Sequence, residues 1–219
     1  MRGLPKLFDS LETEIKTLRK EYLETHLSNP ASGPDEWSYA VKSFCILSHA
    51  AFEDFAEDLS IYVCDDSLAK WDQQPRQINI VLLSLTAFYQ EKLSIENNEQ
   101  DKQDKVIDQL RITIEKIKIL HRKAIDDNNG FSKKYLRTIL TPVAINIPED
   151  PISDGALQKF STARGSYAHT RAKDGQFTVG KSKWDHNKKL MSPDDASDLA
   201  DDCLEICREL ITRAKTAIQ

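Results

Sequence analysis

The chain has 219 residues, 40% of them hydrophobic, which is enough to bury a full core in one domain, or in one domain with an appendage. It has no apolar run near the ~20 residues of a membrane span and no apolar stretch after Met1-Arg2-Gly3-Leu4-Pro5 to act as a secretory signal. Its four cysteines lack Cys-x-x-Cys spacing, so a soluble, cytoplasmic chain with reduced thiols and no membrane contact is expected.

The net charge of −5 argues against bulk coating of nucleic acid, yet Lys159 to Leu190 holds eight basic and two acidic residues. That window is +6 and the remainder −11, which suits a defined polyanion site or, more simply, a solvated basic loop.

In chain order, Leu4, Phe8, Leu11, Ile15, Leu18 and Tyr22 recur at spacings of four and three. They predict a first helix with a heptad-like stripe that packs on the body or on a partner helix. The Asn29-Pro30-Ala31-Ser32-Gly33-Pro34 loop stops it. A second, longer helix carries Trp37, Val41, Phe44, Ser48, Ala51, Phe55, Leu59 and Tyr62. The segment from Ile78 to Tyr89 is apolar nearly all round and is predicted to lie centrally. Val106, Leu110, Ile114 and Ile117 mark a fourth helix, with Asn128-Asn129-Gly130 as its left-handed cap.

A short helix spans about Tyr135 to Leu140 and stops before Pro142. After the Pro148-Glu149-Asp150-Pro151 turn, Ser153 or Asp154 is expected to cap a helix through Leu157 and Phe160 to about Ala168. The last helix opens at Ser192-Pro193-Asp194-Asp195 with a capping serine, proline at the first helical position and carboxylates at the positive helix end. Leu199, Cys203, Ile206 and Leu210 form its buried stripe. Between these last two helices, residues 171–191 suggest a polar loop or a short hairpin around Gln176 to Val179. The expectation is an all-α helical bundle.

Arg164 is the most informative residue. It follows Phe160 by four positions and Leu157 by seven, which puts it at the edge of the stripe facing the core. A cation there needs a counter-charge or a phosphate. His169 comes five residues later. At about 100° per residue the two side chains lie roughly 140° apart on a continuous helix. They converge if the helix ends near Gly165 to Ala168, or if a second subunit completes the site.

Arg164-Gly165-Ser166-Tyr167-Ala168-His169 resembles the Arg-x4-His motif of the HEPN superfamily, on a late helix followed by a loop and a final long helix. Leu47-Ser48-His49-Ala50-Ala51-Phe52-Glu53-Asp54-Phe55 is similar to the early helix of RiboL-PSP-type HEPN domains. The resemblance spans roughly residues 35 to 215. It divides the chain into an N-terminal helical extension, 1–30, and a HEPN-like helical domain, 31–219. Many members place Asn, Asp or His directly after the arginine, where this chain has Gly165; that departure points to a weaker nuclease or to a member without cleavage.

The resemblance implies endoribonuclease activity without metal or cofactor, in a cleft shared by a homodimer, on single-stranded RNA or tRNA. It also implies a toxin or anti-phage role, with an antitoxin or regulatory protein as a further partner. The chemistry is coherent: histidine titrates near neutral pH and serves as base or acid, while arginine presents a planar fork matched to phosphate oxygens. A two-fold dimer supplies His169 and Arg164 twice. Direct action by His169 would give a 2′,3′-cyclic phosphate and a 5′-hydroxyl; alternatively both residues position the RNA. Rival readings are a non-catalytic HEPN domain that binds RNA, nucleotide or protein, and an unrelated interaction protein built on the first helix.

Supporting roles fall to other residues. Tyr167 stacks on a base or, the simpler reading, packs in the core. Ser166 bonds a phosphate or caps the helix end. Glu53 neutralises or orients Arg164, or is a surface carboxylate paired with His49. Arg171, Lys173, Lys181, Lys183 and Trp184 track the RNA backbone, with Trp184 on a base, or form a solvated loop.

Gly175 to Ser182 spells the Gly-x4-Gly-Lys-Ser phosphate-loop pattern, but no buried strand precedes it and no helix pattern starts at its lysine. Nucleotide hydrolysis is therefore not expected. Cys203 and Cys207, one turn apart, read as small buried residues rather than metal ligands. His121 continues the Ile114 and Ile117 stripe as a core-edge histidine. His26 and His186 belong to no constellation.

Overall fold

The helical periodicity is realised along the chain. The computed structural model describes residues 3–29, 31–75, 77, 79–90, 102–168 and 191–219, with the side chains of 102–105 and 168 excepted. These residues form seven α-helices: α1 (Leu4–Tyr22), α2 (Pro34–Gln73), α3 (Ile80–Tyr89), α4 (Lys102–Asp126), α5 (Lys133–Leu140), α6 (Pro151–Ala168) and α7 (Pro193–Ala217). A 3-10 turn, Thr141–Val143, follows α5. The predicted hairpin at Gln176 to Val179 and the phosphate-loop-like segment lie outside the described residues.

The central element is α2. Its 40 residues span about 60 Å at 1.5 Å per residue, and every other described helix packs on it. Phe44, Phe52, Phe55, Leu59 and Val63 are buried along it, and so are the small residues Cys45, Ser48, Ala51, Ala56, Ser60 and Cys64. Large and small side chains alternate round the helix, so neighbours approach on several sides. The first stripe packs on the body: Leu4, Leu11 and Ile15 of α1 are buried, and α1 lies against α2 and α7.

Three expectations are corrected. The apolar segment predicted to be central, α3, lies at the surface: Val81, Leu82 and Leu85 are buried, while Ile80, Leu83 and Phe88 are 56%, 53% and 47% exposed. A ten-residue helix lying against a longer one covers one side and leaves the other outside.

The end of α4 has no left-handed residue among Asn128, Asn129 and Gly130. Tight bonds close it instead, from Asp127 N–H to the Lys123 carbonyl and from Asn128 N–H to the Ile125 carbonyl, both 2.9 Å, and Asn128 turns inward. The cap of α6 is Asp150, not Ser153 or Asp154. Its Oδ1 accepts from the N–H groups of Ile152 and Ser153 at 3.0 and 2.9 Å, and its Oδ2 accepts from the Ser153 hydroxyl at 2.6 Å. Proline at position 151, preset for the first helical turn, makes the residue before it the cap.

The start of α7 agrees with expectation. Ser192 Oγ accepts from Asp195 N–H at 3.0 Å, and the Asp195 carboxylate reaches back to the Ser192 N–H. Leu199, Cys203, Ile206 and Leu210 are all buried.

His121 is fully buried and fully bonded. The hydroxyl of Ser60 donates to the Ile139 carbonyl at 2.6 Å, so Ser60 Oγ accepts from His121 Nε2–H at 2.9 Å, and Nδ1 then accepts from Tyr89 O–H at 3.0 Å. This chain of bonds ties α2, α3, α4 and α5 together.

Candidate active site

The arginine of the motif sits where its spacing predicts. On α6, Leu157, Phe160, Ala163 and Tyr167 are buried, and Arg164 is half-buried at the rim of that face. Its guanidinium makes no hydrogen bond and no ion pair with another described residue. Its charge nevertheless acts on two α2 groups, His49 and Glu53.

His49, Glu53 and Glu57 stand four residues apart, so one α2 face presents them in a row. His49 is 2% exposed, and its ring stacks on Phe160 with centroids 5.7 Å apart. The backbone N–H of Phe131 donates to its Nε2 at 3.2 Å. With Nε2 accepting, the neutral ring carries its proton on Nδ1, and Nδ1 lies 3.7 Å from Glu53 Oε2. Burial, and then the Arg164 charge, push His49 down to about 4, so it is neutral at physiological pH.

Glu53 is pushed the other way. Burial, then the neighbouring Glu57, raise it above the usual carboxylate value, Arg164 pulls it back, and Asp54 raises it further. The Glu53 side chain is 17% exposed, and no described group donates a hydrogen bond to it within 3.5 Å. Glu57, one turn on, is bonded: Asn128 Nδ2 donates to its Oε1 at 3.0 Å.

The connection from α4 to α5 holds this row in place. Asn128 engages Glu57, and three residues later Phe131 engages His49. Between them Gly130 passes so close that a Cβ would lie 3.1 Å from the Tyr135 ring and 3.6 Å from His49 Cε1. A side chain there presses on the Tyr135 ring, which has to give way, while its contact with His49 is an ordinary one. Phe52 meets Phe131 at 5.1 Å and Phe160 at 5.4 Å, which locks α2, α6 and the connection into one aromatic cluster.

The predicted site residues divide accordingly. Arg164 and Glu53 face each other's fields across the α2–α6 packing. Glu53 is half-buried rather than at the surface, and it lies within 4 Å of His49. Tyr167 packs in the core at 8% exposure, and its oxygen accepts from Met191 N–H at 3.2 Å. The Ser166 hydroxyl donates to the Ala163 carbonyl at 3.0 Å, within its own helix. A Cβ on Gly165 would meet no atom within 4 Å, so this position has room for a side chain.

His169, Arg171, Lys173, Lys181, Lys183 and Trp184 lie outside the described residues. Sequence reading missed the anchoring by Asn128, Gly130 and Phe131, whose only local signal was a helix terminus. Their role depends on which helix they fold against.

Cys203 and Cys207 are buried thiols held far above their ordinary range by burial. Among the described residues no group of three or more His, Cys, Asp or Glu side chains converges as a metal site. No described helix is long and apolar enough to cross a membrane.

Neither the curated proteins nor the solved structures offer a match to this chain. The sequence pattern of the RiboL-PSP-HEPN family matches residues 9–216, from within α1 to the end of α7, and so takes in both the Arg164 helix and the His49–Glu53 face. The all-helical order and this match together establish that the chain belongs to the RiboL-PSP-HEPN family.

Proposed function

We propose that the chain is a metal-independent endoribonuclease that acts as a homodimer, with Arg164 and His169 as catalytic residues and a role as a toxin or anti-phage effector. The observation that carries this reading is the state of Arg164. A half-buried guanidinium, uncommitted to any described partner, stands beside a neutral histidine and a carboxylate. Such a fork is free to take the oxygens of a phosphate, and its charge stabilises the phosphorane as it forms. His169, near neutral pH, exchanges a proton with the reacting oxygens. Pairing of two chains doubles both groups in one groove. Arg171, Lys173, Lys181, Lys183 and Trp184 carry the flanking RNA in this reading.

The test uses pure full-length protein, labelled tRNA and mRNA, and EDTA. The expected outcome is cleavage to 2′,3′-cyclic phosphate and 5′-hydroxyl ends, with a loss of ~10²- to 10⁴-fold in His169→Ala. Intact RNA with binding retained would replace this reading with a non-catalytic RNA-binding domain. Equal rates in His169→Ala would remove His169 from the chemistry.

A further inference from the structure

Glu53 is half-buried without a described hydrogen-bond donor, unlike Glu57 and Asp65 on the same helix, whose carboxylates are also partly covered. Glu57 accepts a hydrogen bond from Asn128, Asp150 accepts three within its cap, and Asp65 is paired with Arg122 at 2.6 Å. Glu53 receives no such bond from a described residue, yet it is mostly buried and placed in the field of Arg164. His49 Nδ1 lies 3.7 Å from it, beyond ordinary hydrogen-bond length. The histidine is itself fixed by the Phe131 N–H and by the Phe160 ring. The result is a half-buried carboxylate that accepts no hydrogen bond from a described residue, one turn from a fixed histidine and in the field of the cation expected to hold the phosphate.

We propose that Glu53 is the general base that takes the proton of the attacking 2′-hydroxyl, with His49 as the positioning residue that fixes its carboxylate toward Arg164; this rests on the nuclease reading above. A Glu53 oxygen takes the proton while the 2′-oxygen bonds to phosphorus. The bond between phosphorus and the 5′-oxygen breaks, and that oxygen leaves with a proton from His169. The products are the cyclic phosphate and a 5′-hydroxyl, and water returns a proton from Glu53 to His169.

The described charges facing Glu53 are His49, Asp54 and Glu57 on its own helix and Arg164 on α6, while the α4–α5 connection contributes the neutral Asn128 amide. Burial and the two acidic neighbours favour the protonated form and Arg164 the ionised one. The net shift is upward, which makes Glu53 a stronger base than an exposed carboxylate.

The experiment compares the wild type with Glu53→Gln, Glu53→Asp and His169→Ala on two oligoribonucleotides. One has a normal phosphodiester, and the other has sulfur in place of the bridging 5′-oxygen. A thiolate leaves without a proton, so the second substrate bypasses the acid but still needs the base.

Glu53→Gln is expected to lose ~10²- to 10⁴-fold on both substrates, while Glu53→Asp keeps part of the rate. His169→Ala is expected to lose rate on the normal substrate and recover on the sulfur one. Each variant should bind the 2′-deoxy analogue as the wild type does.

Wild-type rates in Glu53→Gln, or its recovery on the sulfur substrate, would overturn the base assignment while leaving the nuclease reading intact. A wild type that cleaves neither substrate would overturn both. A Glu53→Gln chain that no longer bound the analogue would make Glu53 a structural residue and overturn the assignment.

Discussion

Two buried histidines, His49 on α2 and His121 on α4, behave differently. His121 and His49 are both almost inaccessible, and burial pushes both to about 4. His121 is bonded at both nitrogens, to Ser60 and Tyr89, in a closed chain that ends on the Ile139 carbonyl. Among the described residues His49 is hydrogen-bonded at one nitrogen; the other lies 3.7 Å from Glu53, and the ring feels the Arg164 charge. A saturated polar network rigidifies a core. A network left open on one side, toward uncompensated charges, is where a substrate is able to bind. Burial and a displaced titration do not separate the two sites, whereas unfilled bonding capacity does.

The largest effect that sharpens this comparison is acid. Both histidines have folded-state values near 4 against an ordinary 6.5. Above pH 6.5 they are neutral folded or unfolded, and their full contribution is present. As pH falls from 6.5 through 4 the unfolded chain takes up protons that the fold refuses, and stability drops by roughly 3 kcal/mol per histidine by the lower end. Urea midpoints at pH 7 and 4.5 measure this, and replacing either histidine should flatten the fall by about half. A midpoint independent of pH in the wild type would show that the two rings are not held neutral.

Next in size are the substitutions at the two rings. His121→Ala leaves a cavity and strands Ser60 and Tyr89, at a cost of about 3 kcal/mol and a Tm lower by roughly 6 to 12 °C. Cleavage per folded molecule is expected to stay at the wild-type rate. His49→Phe keeps the contact with Phe160 and strands only the Phe131 N–H, at about 1 to 3 kcal/mol, yet cleavage per folded molecule should fall several-fold. The opposite pattern, activity lost at His121 and kept at His49, would invert the assignment of the two sites.

The smallest effect tests the frame around the open site. Asn128→Ala removes the hydrogen bond to Glu57 at a cost of about 1 kcal/mol. It should raise the Glu57 titration, because that bond now lowers it, with no change at His121. Carboxylate chemical shifts followed against pH would show this. An unshifted Glu57 would mean that the connection does not hold the acidic row.

Much of the helix order was legible, because apolar spacing reports which side of a helix is covered. That is how the α1 stripe, the early part of α2, the buried stripe of α7 and the edge position of Arg164 were readable. Spacing does not report how many sides are covered. Here α3 is the most uniformly apolar segment and lies outside, whereas α2, interrupted by Ser48, Ser60 and Cys64, runs through the middle. Small side chains that look like dilution in sequence are what let other helices close on α2. The cap of α6 was misplaced for a local reason: Asp150, Ser153 and Asp154 compete within five residues, and the proline at 151 decides among them.

What the amino-acid order determined by itself is which residues share a face: His49 with Glu53 and Glu57, and Phe160 with Arg164. That follows from helical geometry alone. Which face meets which was decided only in three dimensions. The aromatic cluster of Phe52, Phe131 and Phe160 brings α6 against α2, and the α4–α5 connection, distant in sequence from both, supplies the donors that hold His49 and Glu57. Packing between helices depends on shape and volume summed over many side chains. No spacing within one helix encodes it.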